Sequence, residues 1–181
     1  MPDRTWWGDS AALVAGDSWL ASNFAGMASS LVLVETQADG AVRVVTLNRP
    51  EKRNALNAEM LAEIQALFTT EPSADERVTV IRAIGKSFCA GVDLKERDTN
   101  GMAGSASAIE EMLHSIAMYP LPVVAVVQGD AIAGGNELAL HCDLVVASDA
   151  ARFGMSLAQI GLAPTWFLAN KIMEVGGPVF A

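Results

Sequence analysis

The chain alternates between two kinds of hydrophobic pattern. Leu31-Val-Leu-Val-Glu-Thr36 and Ala41-Val-Arg-Val-Val-Thr-Leu-Asn48 are strand-like runs separated by Asp39-Gly40, and such a pair about a turn dipeptide predicts a β-hairpin. Asn57 can cap a helix, and beyond it Met60, Leu61, Ile64, Leu67 and Phe68 recur at helical spacing, which predicts one buried helical face. Val78-Thr-Val-Ile-Arg-Ala-Ile84 reads as a further strand. Residues 99–107, rich in Gly and Ser, read as a mobile loop, and a helix follows to Met118. Pro120 and Pro122 then restart the chain as a strand, Val123–Gln128. The glycine pair Gly134-Gly135 opens another helix, and Leu144–Ser148 reads as a short strand. Strands alternating with helices in this way predict an α/β chain of repeated strand–strand–helix units on mixed sheets.

The first 26 residues break the pattern. Trp6, Trp7 and Trp19 lie among Gly, Asp, Ser and Ala with neither a helical nor a strand period, so residues 1–26 are expected to form a disordered extension ahead of one core domain, 27–181. No basic start leads into an apolar core there, so a signal peptide is not expected. A length of 181 residues suits one domain. With 51% hydrophobic and 18% charged residues, the composition fits a packed protein rather than a disordered one. The net charge of −9 argues against nucleic acid or an anionic membrane as partner, and no stretch is apolar enough for long enough to span a bilayer.

Other motifs are set aside on spacing. Cys89 and Cys142 are far apart, and His114 and His141 are the only imidazoles, so no zinc pattern forms. Both thiols are predicted to be small core residues, and the lack of a disulfide framework suits the cytoplasm. His141, Cys142 and Asp143 are consecutive helical positions that face different ways and cannot converge as a triad. Gly85-Lys86-Ser87 has Val80 where a phosphate-binding loop needs its leading glycine, and Gly154-Met-Ser-Leu-Ala158 lacks the last glycine of a nucleophile elbow.

Candidate chemistry sits in three places. From Val124 to Asp143 an apolar strand runs into the glycine pair, and Glu137 follows one turn into an otherwise apolar helix start. Glycines allow close backbone approach, the first N–H groups of a helix are unpaired, and a carboxylate beside them can move a proton. Equally, an acidic residue in a first turn can simply complement the helix dipole. The second place is Ile84–Lys95, whose small residues lead to Asp93. The third is the basic loop Arg49, Lys52 and Arg53, which could also be a solvated turn.

Phe88-Cys-Ala-Gly-Val-Asp-Leu94, taken with Gly129-Asp-Ala-Ile-Ala-Gly-Gly-Asn-Glu-Leu138, resembles the enoyl-CoA hydratase/isomerase (crotonase) family. Leu47-Asn-Arg-Pro-Glu-Lys-Arg-Asn-Ala-Leu56 upstream and Phe153-Gly-Met with Ile160-Gly-Leu-Ala-Pro164 downstream extend the likeness from Leu31 to Gly177. The resemblance implies a crotonase-like spiral of ββα units acting on an acyl-CoA thioester, with coenzyme A brought by the substrate and neither a metal nor a further cofactor. It implies that backbone N–H groups of Val92 and Gly134 hold the thioester oxygen while Glu137 serves as acid and base. Substrate contacts are implied for Arg49, Lys52, Ala55, Ala90, Gly91, Asp93, Leu94, Gly135 and Pro164, with Asp93 also read as fixing its loop. The implied reaction is addition of water across the 2,3 double bond of an enoyl-CoA, a step of fatty-acid metabolism, in a homotrimer or hexamer.

Two departures accompany the likeness. Leu157 stands where hydratases of the family carry a second glutamate, leaving Glu137 alone. Isomerisation, or other thioester-enolate chemistry with Glu137 as sole proton shuttle, is therefore an alternative, as is a non-catalytic acyl-CoA-binding relative. The chain also stops at Val175-Gly-Gly-Pro-Val-Phe-Ala181, where a complete member would continue into several helices, so an apolar surface is expected to be left uncovered.

Overall fold

The hairpin forms where the apolar runs place it. Strands β1 (Val32–Gln37) and β2 (Val42–Leu47) pair antiparallel, with Val34 opposite Val45. Between them Ala38, Asp39 and Gly40 have φ of 50°, 54° and 93°, the positive backbone hand that tight hairpin turns use. Asn57 caps helix α1 (Ala58–Thr69) by accepting the Met60 N–H at 3.1 Å, and Met60, Leu61, Ile64 and Phe68 are buried. The structure, a computed structural model, describes residues 30–95, 102–161 and 163–178. The extension expected over 1–26 and the first residues of the expected loop, 99–101, lie outside that set.

Three strand–strand–helix units follow. The first is β3 (Val78–Ala83), β4 (Ser87–Cys89) and α2 (Met102–Ala117). The second is β5 (Val123–Val127), β6 (Asp130–Ile132) and α3 (Gly134–Leu140). The third is β7 (Leu144–Ala147), β8 (Phe153–Gly154) and α4 (Trp166–Gly176). The long strands form a sheet in the order β1-β2-β3-β5-β7, parallel except for the opening hairpin. The short strands form a second, parallel sheet in the order β4-β6-β8. Each turn of the chain thus adds one strand to each sheet and returns through a helix, which is the crotonase-like spiral.

One expectation is corrected. The segment 102–107, read as part of a mobile loop, is the first part of α2. Ala103, Ala106 and Ala108 are strong helix formers, and a lone Gly104 costs only about 1 kcal/mol against them. α1 and α2 pack on each other, and Leu47, Leu56, Met60, Ile64, Ile81, Phe88, Met112, Leu113 and Ile116 are fully buried. Burial of a side chain such as Phe88 contributes roughly 2–3 kcal/mol. Strand β7, at the open edge of the large sheet, differs: Leu144, Val145 and Val146 are all exposed, so apolar side chains face outward on both of its faces. Among the described residues no helix is long and apolar enough to cross a membrane.

Candidate active site

The site is built where consecutive turns of the spiral end. Past β4 the chain turns at Gly91 (φ 90°) and pairs with Leu56 of the previous turn. Leu56 N–H donates to the Gly91 carbonyl and Asp93 N–H donates to the Leu56 carbonyl, both at 2.8 Å. These two bonds take the neighbours of Val92 and leave its own N–H unused among the described residues.

One turn later β6 ends at Ala133, whose φ of 49° and ψ of −116° are rare for a residue with a side chain. Such a conformation costs on the order of 1–3 kcal/mol and persists only where the surroundings impose it. Here the Ala133 N–H is fixed on the Gly154 carbonyl of β8 at 2.7 Å. Gly134 then opens α3, and its N–H has no partner within the helix. A Cβ at Gly134 would stand 2.7 Å from Ile109 Cδ1 and 3.5 Å from Val92 N, and one at Gly91 would stand 3.1 Å from Gly134 N. At Gly91, with positive φ and backbone on two sides, only glycine fits, whereas at Gly134 the nearest obstacle is the end of the Ile109 side chain; these contacts bring the start of α3 close to Val92.

Glu137 lies one turn into α3, its own N–H donating to the Ala133 carbonyl at 3.0 Å. Its side chain is 1% exposed, and neither carboxyl oxygen has a hydrogen-bond partner among the described residues. Burial disfavours the charged form and pushes this carboxyl up to about 7. A group balanced between its two forms near neutral pH suits both giving and taking a proton.

The basic loop is pinned from within. Asn54 (φ 54°) is buried. Its Oδ1 accepts the Arg49 N–H at 2.8 Å, and its Nδ2 donates to the carbonyls of Ile84 and Ser87 at 2.9 Å each. Ala90 N–H donates to the Arg53 carbonyl at 3.0 Å. Arg49 Nη1 reaches the Ala55 carbonyl at 2.9 Å and pairs with Asp93 at 2.7 Å, while the other Asp93 oxygen accepts the Lys95 N–H at 3.1 Å. The Arg49 charge is therefore matched inside the loop, whereas Lys52 is exposed.

The structure also places the other residues singled out in the sequence. Gly135 is buried against β4, where a Cβ would stand 2.2 Å from the Cys89 carbonyl oxygen, so helix–strand packing demands its bare backbone. Leu94 is 47% exposed, and Pro164 is exposed on the approach to α4. Leu157 begins a short 3-10 turn, Leu157–Ile160, and is partly buried. Cys89 and Cys142 are buried free thiols that burial pushes up to about 12. His141, Cys142 and Asp143 diverge: His141 Nδ1 contacts the Glu137 carbonyl, Cys142 Sγ the Leu138 carbonyl, and the Asp143 carboxylate the Val123 N–H. An open cavity of ≈ 750 Å³ bordered by Arg53, Lys86 and the Arg152–Asp130 pair lies at the opposite, starting ends of β4 and β6.

Sequence reasoning missed Asn54 and Ala133 as parts of this geometry. The first carries a signal, since asparagine tolerates the left-handed region. Ala133 carries none.

The fold is thus a spiral of strand–strand–helix turns in which α3, opened by Gly134 close to Val92, carries a buried carboxyl group without a hydrogen-bond partner among the described residues. Residues 37–177 match the family model described as Enoyl-CoA hydratase/isomerase. The chain is similar to a mevalonyl-coenzyme A hydratase of Aspergillus fumigatus, 40% identical over 144 residues that cover 75% of this chain and 52% of that protein. It is likewise similar to a short-chain-enoyl-CoA hydratase of Clostridium acetobutylicum, 36% identical over 146 residues, 78% of this chain and 56% of that one. The crystal structure of an enoyl-CoA hydratase from Bacillus anthracis matches with a TM-score of 0.77 and 29% identity, covering 82% of this chain and 59% of that one. The chain belongs to the enoyl-CoA hydratase/isomerase family, and it spans a little over half the length of these relatives.

Proposed function

We propose that this chain carries the catalytic core of an enoyl-CoA hydratase-like lyase, with Glu137 as its one acid–base group. The observation that carries the reading is the buried Glu137 carboxyl, without a hydrogen-bond partner on either oxygen among the described residues, in the first turn of the helix that Gly134 opens close to Val92. In this reading the two N–H groups accept the thioester oxygen of a 2-enoyl-CoA. Electron density drawn toward that oxygen makes Cβ electrophilic. Ionised Glu137 takes a proton from water as the water oxygen bonds to Cβ, and the π electrons move onto the thioester oxygen. The enolate then collapses, and the same Glu137 returns the proton to Cα, so that one water is added overall. Each oxyanion donor of this kind is worth about 3 kcal/mol where it has been removed in other enzymes.

Around that centre, Ala55, Ala90, Gly91, Leu94, Gly135 and Pro164 form the proposed walls for the thioester and pantetheine. Lys52 meets the phosphates of coenzyme A, and the Arg49–Asp93 pair holds the loop that presents it. Coenzyme A enters as part of the substrate, and no further cofactor takes part. Assembly as a homotrimer or hexamer, and a cytoplasmic setting that suits two free thiols, belong to the same reading.

Leu157 favours a second reading. Without a second carboxylate, Glu137 could carry a proton between Cα and Cγ, which is double-bond isomerisation. A binder without turnover is the third. The test is loss of the enoyl-thioester absorbance of crotonyl-CoA with the unmodified chain and with Glu137→Gln. Hydration that disappears in the variant supports the lyase. Conversion of a 3-enoyl-CoA without crotonyl-CoA hydration supports the isomerase. Thermal stabilisation by coenzyme A, about 2.7 kcal/mol at a hundredfold excess over Kd, with no turnover of either substrate, supports the binder.

A further inference from the structure

His141 lies one helical turn beyond Glu137 and is 5% exposed. Its Nδ1 stands 2.8 Å from the Glu137 carbonyl oxygen and 3.9 Å from Glu137 Oε2. A carbonyl oxygen only accepts, so this contact requires the tautomer with hydrogen on Nδ1. That carbonyl is already served by the His141 backbone N–H at 3.0 Å, so the imidazole hydrogen can leave without orphaning it. The ring is stacked on Phe167 of α4, centroids 5.0 Å apart and planes 18° from parallel, a packing that permits a slide in the ring plane. The Glu137 oxygens have no other donor among the described residues.

We propose that His141 is a positioning residue for Glu137: its Nδ1–H shifts from the Glu137 carbonyl to the carboxylate when that group ionises, and so fixes the carboxylate in its working orientation. The proposal rests on the reading of Glu137 as the acid–base group and goes beyond it in naming what steadies the charged form. Burial holds the imidazole neutral, its affinity for a proton being lowered chiefly by desolvation. The charged groups facing it are few. They are Lys171 and Glu174 on α4, which pair with each other at 3.3 Å. From α2, His114 reaches the edge of the Phe167 ring, with centroids 6.4 Å apart.

The test compares the full chain with His141→Phe, which keeps a ring against Phe167 and removes the donor, and His141→Asn, which restores one. The ionisation of Glu137 is followed by carbon-detected NMR of labelled glutamate, its signal assigned by its loss in Glu137→Gln. The expected result is a titration midpoint raised by about one pH unit in His141→Phe and returned toward the parent value in His141→Asn. An unshifted midpoint in a folded His141→Phe overturns the proposal. Should that variant fail to fold, the nitrogen resonance of His141 in the unmodified chain decides. It must move as Glu137 titrates and stand still in Glu137→Gln; a resonance indifferent to Glu137 overturns the proposal as well. Crotonyl-CoA turnover by Glu137→Gln separates the two layers, since retained turnover removes Glu137 from catalysis while leaving the titration result intact.

Discussion

At the scale of the residue, Glu137 sets a conflict between stability and use. Its carboxyl rises from an ordinary 4.5 to about 7 because burial penalises the charge. Below pH 4.5 both folded and unfolded chains hold the proton and no penalty exists. Between 4.5 and 7 the unfolded chain ionises first, so stability falls as pH rises, and the loss is complete above 7, on the order of 3 kcal/mol. Glu137→Gln, which carries no charge, is therefore expected to melt higher than the parent chain at pH 8 and to lose that advantage near pH 4. Thermal unfolding at the two pH values checks this, and equal gaps at both would count against a buried carboxylate. The residue itself was legible in the sequence, as a lone acid in an apolar helix start. Its strained neighbour Ala133 was not, because its backbone angles are imposed by Gly154 across the second sheet, a partner that local pattern does not contain.

At the scale of the element, legibility followed length. β1, β2, β3, β5 and α1 run to five residues or more, enough for a period to register, and each was predicted. β4, β6 and β8 have two or three residues apiece and show no period at all, although their ends carry the candidate donors. The start of α2 was misread because glycine and serine signal a loop more loudly than scattered alanines signal a helix. Gly135 marks the tightest junction between elements, where α3 lies against β4 with the Cys89 carbonyl in the space of a Cβ. Gly135→Ala is expected to destabilise the fold by about 1–3 kcal/mol or more, since the obstacle is backbone and cannot rotate away. A chemical denaturation series measures it, and an unfolding free energy lowered by less than about 0.5 kcal/mol would mean that α3 is not packed tightly on β4.

At the scale of the molecule, β7 is a strand of interior composition placed at an edge. Leu144, Val145 and Val146 show no charge, proline or bulge to blunt the free side, and unblunted apolar edges pair with other chains. Val146→Lys is expected to lower concentration-dependent association of this chain, as read by light scattering across a dilution series, with little change in melting temperature because Val146 is 58% exposed. The spiral itself has a further consequence. Val92 and Gly134 belong to different turns, so the distance between them is a pitch, held by the hydrogen-bonded spacing of the neighbouring parallel strands β4 and β6. Length can then vary freely in some places and not in others. A residue inserted between Thr70 and Ser73 only lengthens a largely exposed connection. The same insertion in Ser87–Cys89 reverses which way Val92 points, because side chains and N–H groups alternate along a strand, and the two donors would no longer share a space.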